Sequence, residues 1–146
     1  VGQALCETLQ GTPFRIHLVD SRKEWLEHPG LPAGVIRVRD SWEHFVDSFD
    51  WDARRSFVLV MTHLHPLDEA ILHAVLRKPL RFLGLIGSET KWLRFKSRLM
   101  ETGFSDTELS RVKCPIVVFT GGKAPKEIAI SAAAELLLVL HDVSPR

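Results

Sequence analysis

Strand-length apolar runs alternate along this chain with amphipathic helical stretches, and the alternation predicts an α/β fold with a mostly parallel sheet and flanking helices. Two runs carry the inference. Ser56–Met61 and Arg81–Ile86 are close to continuously apolar, as strands covered on both faces are. Each is followed by turn residues and then by a helical pattern. No internal repeat, low-complexity tract or long linker interrupts the alternation.

Taken in order, Gln3–Leu9 reads as a helix closed by Gly11 and Pro13. Phe14–Val19 reads as a strand ending at Asp20. A loop rich in Pro and Gly (Pro29, Gly30, Pro32, Gly34) leads to a short strand at Val35–Val38. Trp42–Phe49 reads as a short helix with Ser41 as N-cap. After the strand at 56–61, Pro66 suits a first helical turn, with Asp68 and Glu69 near its positive end. Leu67, Ile71, Ala74 and Val75 give that helix an apolar stripe. After the strand at 81–86, Ser88 caps a helix with Trp92, Phe95 and Leu99 on its apolar face, and Gly103 ends it. Pro115–Phe119 reads as a short strand. Gly121 and Gly122 lead to Pro125 and a nearly all-apolar helix ending near Leu140.

The composition is that of an ordinary globular domain. With 146 residues, 45% hydrophobic and 25% charged, one domain over residues 1–146 is expected, and disorder or a disulfide scaffold is not. Lys and Arg total 19 against 18 Asp and Glu, so nothing favours a nucleic-acid partner. Cys6 and Cys114 stand far apart, which suggests a reducing, cytoplasmic setting. The longest apolar stretch, Ile128–Leu140, is broken by Ser131 and Glu135 and falls short of the ~20 residues of a membrane span. No signal-peptide pattern opens the chain.

In parallel sheets ligands bind beyond the carboxyl ends of the strands, and four features fall there. First, Gly2 begins a helix and Asp20 stands 18 residues on, after a strand. This is the last part of a dinucleotide fingerprint, in which the glycine permits close helix–strand packing and the acid accepts ribose hydroxyls. The first strand and the earlier glycines of that fingerprint are not in the chain, so Gly2 as a packing residue and Asp20 as a surface acid is the competing reading. Second, Thr62, His63, His65 and Asp68 form H-x-H-x-x-D at a strand end. A metallo-hydrolase pattern, H-x-H-x-D-H, places its Asp one residue earlier and a His directly after it. A metal site, a satisfied turn and a polar cleft wall remain open. Third, Gly84-Leu85-Ile86-Gly87-Ser88 with Lys91 is a strand, a glycine turn and a capped helix whose amides and Lys91 could hold an anion; a tight turn with a solvated basic face is the alternative. Fourth, Gly121-Gly122-Lys123 ahead of Pro125 is a possible anion nest, although it is not a Walker A loop. Just upstream, Cys114 is either an inert packed thiol or a reactive one.

Taken together and in order, these stretches resemble the C-terminal Rossmann-like domain of the XdhC/CoxI family, the xanthine dehydrogenase accessory proteins. The resemblance rests on Val1–Leu5, Val19–Arg22, Thr62-His63 with His65 and Asp68, Leu83–Ser88 with Lys91 and Phe95, Cys114–Ile116, Gly121–Lys123 with Pro125, and Glu127–Ala129 with Glu135. It implies a chaperone, not an enzyme, that binds the molybdenum cofactor (molybdopterin). Such a protein shields the cofactor while a cysteine desulfurase helps install its terminal sulfur, and delivers it to xanthine dehydrogenase or a related molybdenum hydroxylase.

The cofactor-binding positions it implies are Gly2, Asp20, Arg22, Thr62, His63, His65, Gly84, Gly87, Ser88, Lys91, Gly121, Gly122 and Lys123, with no catalytic or metal-ligating residue. Val117 stands where the family commonly has Gly, and Thr120 where it commonly has Ile. The family usually begins this domain one strand earlier, after a separate N-terminal domain, so a fragment lacking that strand is expected, with homodimer pairing as one way to cover the exposed edges. The competing functions are an NAD(P)-binding oxidoreductase resting on Gly2 and Asp20, a metal-dependent hydrolase through His63, His65 and Asp68, and a non-catalytic interaction domain. The chain contains no Tyr, so oxidoreductase chemistry through a Tyr–Lys pair is excluded.

Overall fold

A computed structural model describes residues 1–116 and 124–143. Helix α1 (Gly2–Thr8) leads to β1 (His17–Val19), α2 (Lys23–Leu26) and β2 (Ile36–Val38), and α3 (Trp42–Ser48) leads to β3 (Phe57–Val60). Then come α4 (His65–Val75), β4 (Phe82–Leu85), α5 (Glu89–Glu101), α6 (Asp106–Leu109), β5 (Val112–Lys113) and α7 (Pro125–Leu140). All strand pairs are parallel, as the alternation predicts.

The strands form two groups, β1–β2 and β3–β4–β5, and no strand joins β1 to β3 among the described residues. Ile16, just ahead of β1, shares a cluster with β3 and β4, while Leu18 of β1 packs with Cys6, Leu31 and Val35. On one face Ile16, Phe57, Leu59, Phe82 and Ile86 pack with Leu5 and Leu9 around α1 and with Ala129, Ala132 and Leu136 of α7. On the other, Val58, Val60, Leu83 and Leu85 pack with Val46 of α3, Leu72 of α4 and Phe95 and Leu99 of α5. The alternation of β3 and β4 side chains between these clusters follows from the two-residue period of a strand.

Local chemistry sets the helix ends. Ser41 and Ser88 accept hydrogen bonds from the amides of His44 and Lys91, both at 3.1 Å, as N-caps. Gly103, at φ 107°, turns the chain out of α5, and Phe104 N donates back to Leu99 O at 3.2 Å. Two arginines close helix carboxyl ends. The Arg81 guanidinium donates to Val139 O and Leu140 O at 2.6 and 3.1 Å, and Arg111 donates to Leu76 O and Lys78 O at 2.5 and 3.1 Å. Carbonyls left over at a helix end are thereby paired. These clamps sit at the amino ends of β4 and β5, away from the carboxyl ends where a site is expected.

Several expectations change. The segment read as a Pro/Gly loop contains α2, and α6 begins with a capping box between Ser105 and Glu108. The last strand among the described residues is Val112–Lys113; of the run read as a strand, Pro115 and Ile116 are outside any strand, and 117–119 lie outside the described residues. Only Val60 of β3 is buried, whereas all of β4, which pairs with β3 on one side and β5 on the other, is. The buried face of α4 is Asp68, Leu72 and Val75, one position on from the stripe read in the sequence, and it takes an acid inside.

Candidate functional site

The carboxyl ends of β1, β3 and β4 bring Asp20, Thr62, His63, Gly87 and Ser88 to one end of the sheet, with the start of α1 beside them. Asp20 follows β1 directly. Both its oxygens are engaged by Arg22: Nε donates to Oδ1 at 3.1 Å, Nη2 to Oδ2 at 2.9 Å, and the Arg22 amide to Oδ1 at 2.9 Å. Burial pushes the Asp20 carboxyl up. The hydrogen bonds from Arg22 and the charges of Arg22 and His63 outweigh it and hold the carboxyl below its ordinary value. The Arg22 guanidinium lies 5.0 Å from the ring centroid of Trp25, a cation–π contact on a half-exposed indole. Asp20 thus anchors Arg22 through both of its oxygens while its side chain stays partly exposed at the rim.

The loop after β3 is held from below. Asp68 is fully buried, and its Oδ1 accepts from the Thr62 amide at 2.7 Å. Its Oδ2 accepts from Lys91 Nζ at 2.7 Å, and the same ammonium donates to Ile86 O at 3.2 Å. One ion pair therefore fastens the loop after β3, the loop after β4 and the starts of α4 and α5. His63 and His65 are exposed, and His65 stands edge-on to Phe95 with ring centroids 6.3 Å apart. With both Asp68 oxygens committed, the H-x-H-x-x-D spacing does not converge, and no group of three metal-ligating side chains exists among the described residues.

Gly87 has a role that the sequence did not disclose. A Cβ there would lie 2.7 Å from Lys91 Cδ, so the glycine makes room for the lysine stem on its way to Asp68. Lys91 is accordingly a structural cation whose charge is balanced inside the protein. Gly84 lies within β4, where a Cβ would meet Phe82 at 2.8 Å and Leu59 at 2.9 Å; it is a packing glycine below the rim. Gly2 is less constrained, because a Cβ would make ordinary contact with Met61 Sδ at 3.6 Å. Cys114 Sγ lies 3.4 Å from Gly87 O and 3.6 Å from Ser88 O. Burial pushes its thiol up to about 11, opposed by the Lys91 charge and assisted by that of Glu89, so it is a protonated thiol at neutral pH. Gly121, Gly122 and Lys123, with Val117 and Thr120, lie outside the described residues.

The Asp68–Lys91 pair is what sequence reasoning missed, although Asp68 and Lys91 each belong to a motif it singled out. The signal available was the pairing of an acid in the first turn of one helix with a lysine in the first turn of the next, after adjacent parallel strands.

Parallel strands, helices on both faces and a polar rim at the strand carboxyl ends define a Rossmann-like domain. Residues 1–136 match the family described as the XdhC Rossmann domain, and the chain belongs to that family. It is 30% identical over 144 residues to the uncharacterized protein YqeB of Escherichia coli (strain K12), a match covering 97% of this chain and 26% of YqeB. A solved structure described as a xanthine dehydrogenase from Bacillus halodurans superimposes with a TM-score of 0.80 at 26% identity, over 97% of this chain and 40% of that one. The chain thus spans about a quarter to two fifths of the length of these relatives. No helix among the described residues is long and apolar enough to cross a membrane.

Proposed function

We propose that this domain is the cofactor-holding part of an accessory protein for xanthine dehydrogenase-type molybdenum enzymes, binding the molybdenum cofactor at the carboxyl-end rim. The observation that carries the reading is membership of the XdhC Rossmann-domain family across residues 1–136. The rim chemistry supports it. A phosphate-bearing pterin needs donors that are not already consumed within the protein. Arg22 is partly exposed beside Trp25, and His63 is exposed. The Glu89 and Thr90 amides at the start of α5 are among the orphan donors that every helix start presents. These groups fit such a guest, and the Gly121–Lys123 segment is assigned to it by sequence. Lys91 serves by holding the two loops in position, not by meeting the phosphate. The bound cofactor would supply the metal and its dithiolene, while the protein's part is to orient it, exclude water and release it.

In this reading the domain is not itself an enzyme. Its partners are a client molybdenum enzyme and a cysteine desulfurase that acts on the held cofactor. Titrating the purified chain with molybdenum cofactor should quench or shift Trp fluorescence saturably, because Trp25 lies under Arg22. Arg22→Ala should weaken binding roughly tenfold, the value of one good charge-assisted hydrogen bond. A flat titration with the folded chain overturns the proposal.

A further inference from the structure

Three of the four basic side chains of α5 are paired within the molecule. Lys91 is held by Asp68 at 2.7 Å, Lys96 by Asp106 at 3.7 Å and Arg98 by Glu69 at 2.5 Å. Arg94 is the exception: it is exposed, and its side chain makes no ion pair or hydrogen bond among the described residues. Glu101, two turns further along the same side of the helix, is exposed and equally unpaired among them. Seven residues separate the two, which is ~10 Å along the helix axis and beyond the reach of a pair on one helix. Leu93, Ser97 and Met100 are also exposed on this face. An apolar strip thus carries a free base near one end and a free acid near the other.

Beside Glu101 a groove of about 340 Å³ opens between α4 and α5. Ala70 and Leu99 supply its apolar lining, and Glu69, His73, Arg98 and Glu101 its polar lining. Glu69 and Arg98 neutralise each other, so Glu101 is the acid left without a counter-ion. It also stands in the last turn of α5, where the helix dipole opposes a negative charge and favours a cation. The groove lacks one cation, and α5 presents one, Arg94, that its own chain cannot deliver there.

We propose that this face of α5 is an interface between two copies of the chain, packed antiparallel about a two-fold axis beside Ser97, with Arg94 of each copy laid into the α4–α5 groove of the other against Glu101. A two-fold pairing uses the same patch on both sides, so the patch must complement itself. Parallel helices would set Arg94 against Arg94 and Glu101 against Glu101. Antiparallel helices exchange both for contacts of opposite charge and bring Leu93 of one copy beside Met100 of the other. Ser97 is small and lies at the crossing, where it lets the helices approach. Ala70 and Leu99 cover the arginine stem, and the planar guanidinium suits a carboxylate. The pairing uses no strand edge. Because α5 starts at the rim, its antiparallel packing turns the two rims to opposite ends and leaves both open. Two large apolar side chains per copy are few for a permanent contact, so the interface falls below the ~1,200 Å² of a stable complex and the dimer is reversible.

The test needs no ligand. In sedimentation equilibrium the mass of the 146-residue chain should rise from one chain toward two, over a range of about 10 μM to 1 mM. Arg94→Glu or Glu101→Arg alone should weaken this association about tenfold or more, because each leaves only like charges across the contact. An equimolar mixture of the two single variants should associate again as a mixed dimer, since the acids of one then meet the bases of the other. The double variant R94E/E101R should self-associate as the parent does. Both positions are exposed, so circular dichroism and melting temperature should match the parent in every variant. A monomer at the highest concentration overturns the interface. Association that persists unchanged in both single variants, or that the mixture fails to restore, assigns the dimer to another surface and overturns the proposal as well.

Discussion

The two halves of the sheet manage charge in opposite ways. In the β3–β4–β5 half an acid and a lysine are drawn inside: Asp68 is fully buried and the Lys91 side chain only 11% exposed, and the pair ties the loops after β3 and β4 together. In the β1–β2 half Asp20 and Arg22 also pair, with side chains 22% and 31% exposed, at the lip of the molecule and next to Trp25. The buried pair is neutral as seen from the rim and sets geometry. The open pair leaves a guanidinium where a guest can reach it. A basic residue near a helix start is therefore not by itself an anion site; its partner decides.

The comparison breaks most visibly at Lys91. Lys91→Ala leaves the Asp68 carboxylate buried without its counter-charge, and removal of one partner from a buried pair costs about 3–5 kcal/mol. Urea unfolding should show a loss of that order. Replacing both residues with apolar ones of similar volume should restore much of it, although the Thr62 amide then loses its acceptor at Asp68 Oδ1. A loss under about 1 kcal/mol for Lys91→Ala would mean that the pair is solvated and that Lys91 is available to a ligand after all.

The glycines give the next largest contrast. Gly84→Ala forces a methyl against Phe82, Leu59 and Ile116 in the middle of the sheet, and overpacking of that kind costs about 1–3 kcal/mol. Gly2→Ala meets only Met61 at an ordinary contact distance, at the start of a helix, and should change stability by less than about 0.5 kcal/mol. Thermal melts of the two variants side by side check the pair. Equal losses would show that α1 is packed on the strand ends more tightly than the Met61 distance indicates.

What the sequence made legible follows from how local each signal is. The strand runs at 56–61 and 81–86, Ser41 and Ser88 as caps, Gly103 as a stop and Pro125 as a helix start depend on neighbours a few residues away, and the structure has them at those places. The helices α2 and α6 are single turns within loop-like composition, too short for a periodic pattern. At the site, the positions were readable but the partners were not. Asp68 and Lys91 are 23 residues apart and meet only because β3 and β4 are adjacent and parallel. Arg22 is two residues from Asp20, yet whether it shields that acid or leaves it free depends on a turn the residue types do not dictate. Gly87 is legible as a glycine turn, but that the lysine stem takes the space it leaves is not, because that depends on Lys91 reaching Asp68.

The smallest effect is electrostatic and separates two histidines in the region around β1. Burial lowers the His17 pKa, with help from the charge of Arg15, and the ring packs against Phe45 and Phe49. His44, in contrast, is raised by its hydrogen bond and charge interaction with Asp40 on the exposed side of α3. The signs oppose. For His17 the unfolded chain binds a proton more readily than the folded one, so its contribution favours the fold above the unfolded value of about 6.5 and weakens as pH falls through it. For His44 the contribution is fully present below about 6.5 and is lost as pH rises through the raised folded value. An NMR titration should therefore place His17 below and His44 above about 6.5. His44→Ala should leave a stability profile that declines between about pH 7 and 5 more steeply than that of the parent. If His17 instead titrates at or above the unfolded value, the side of β1 next to α3 is wet rather than packed under Phe45 and Phe49.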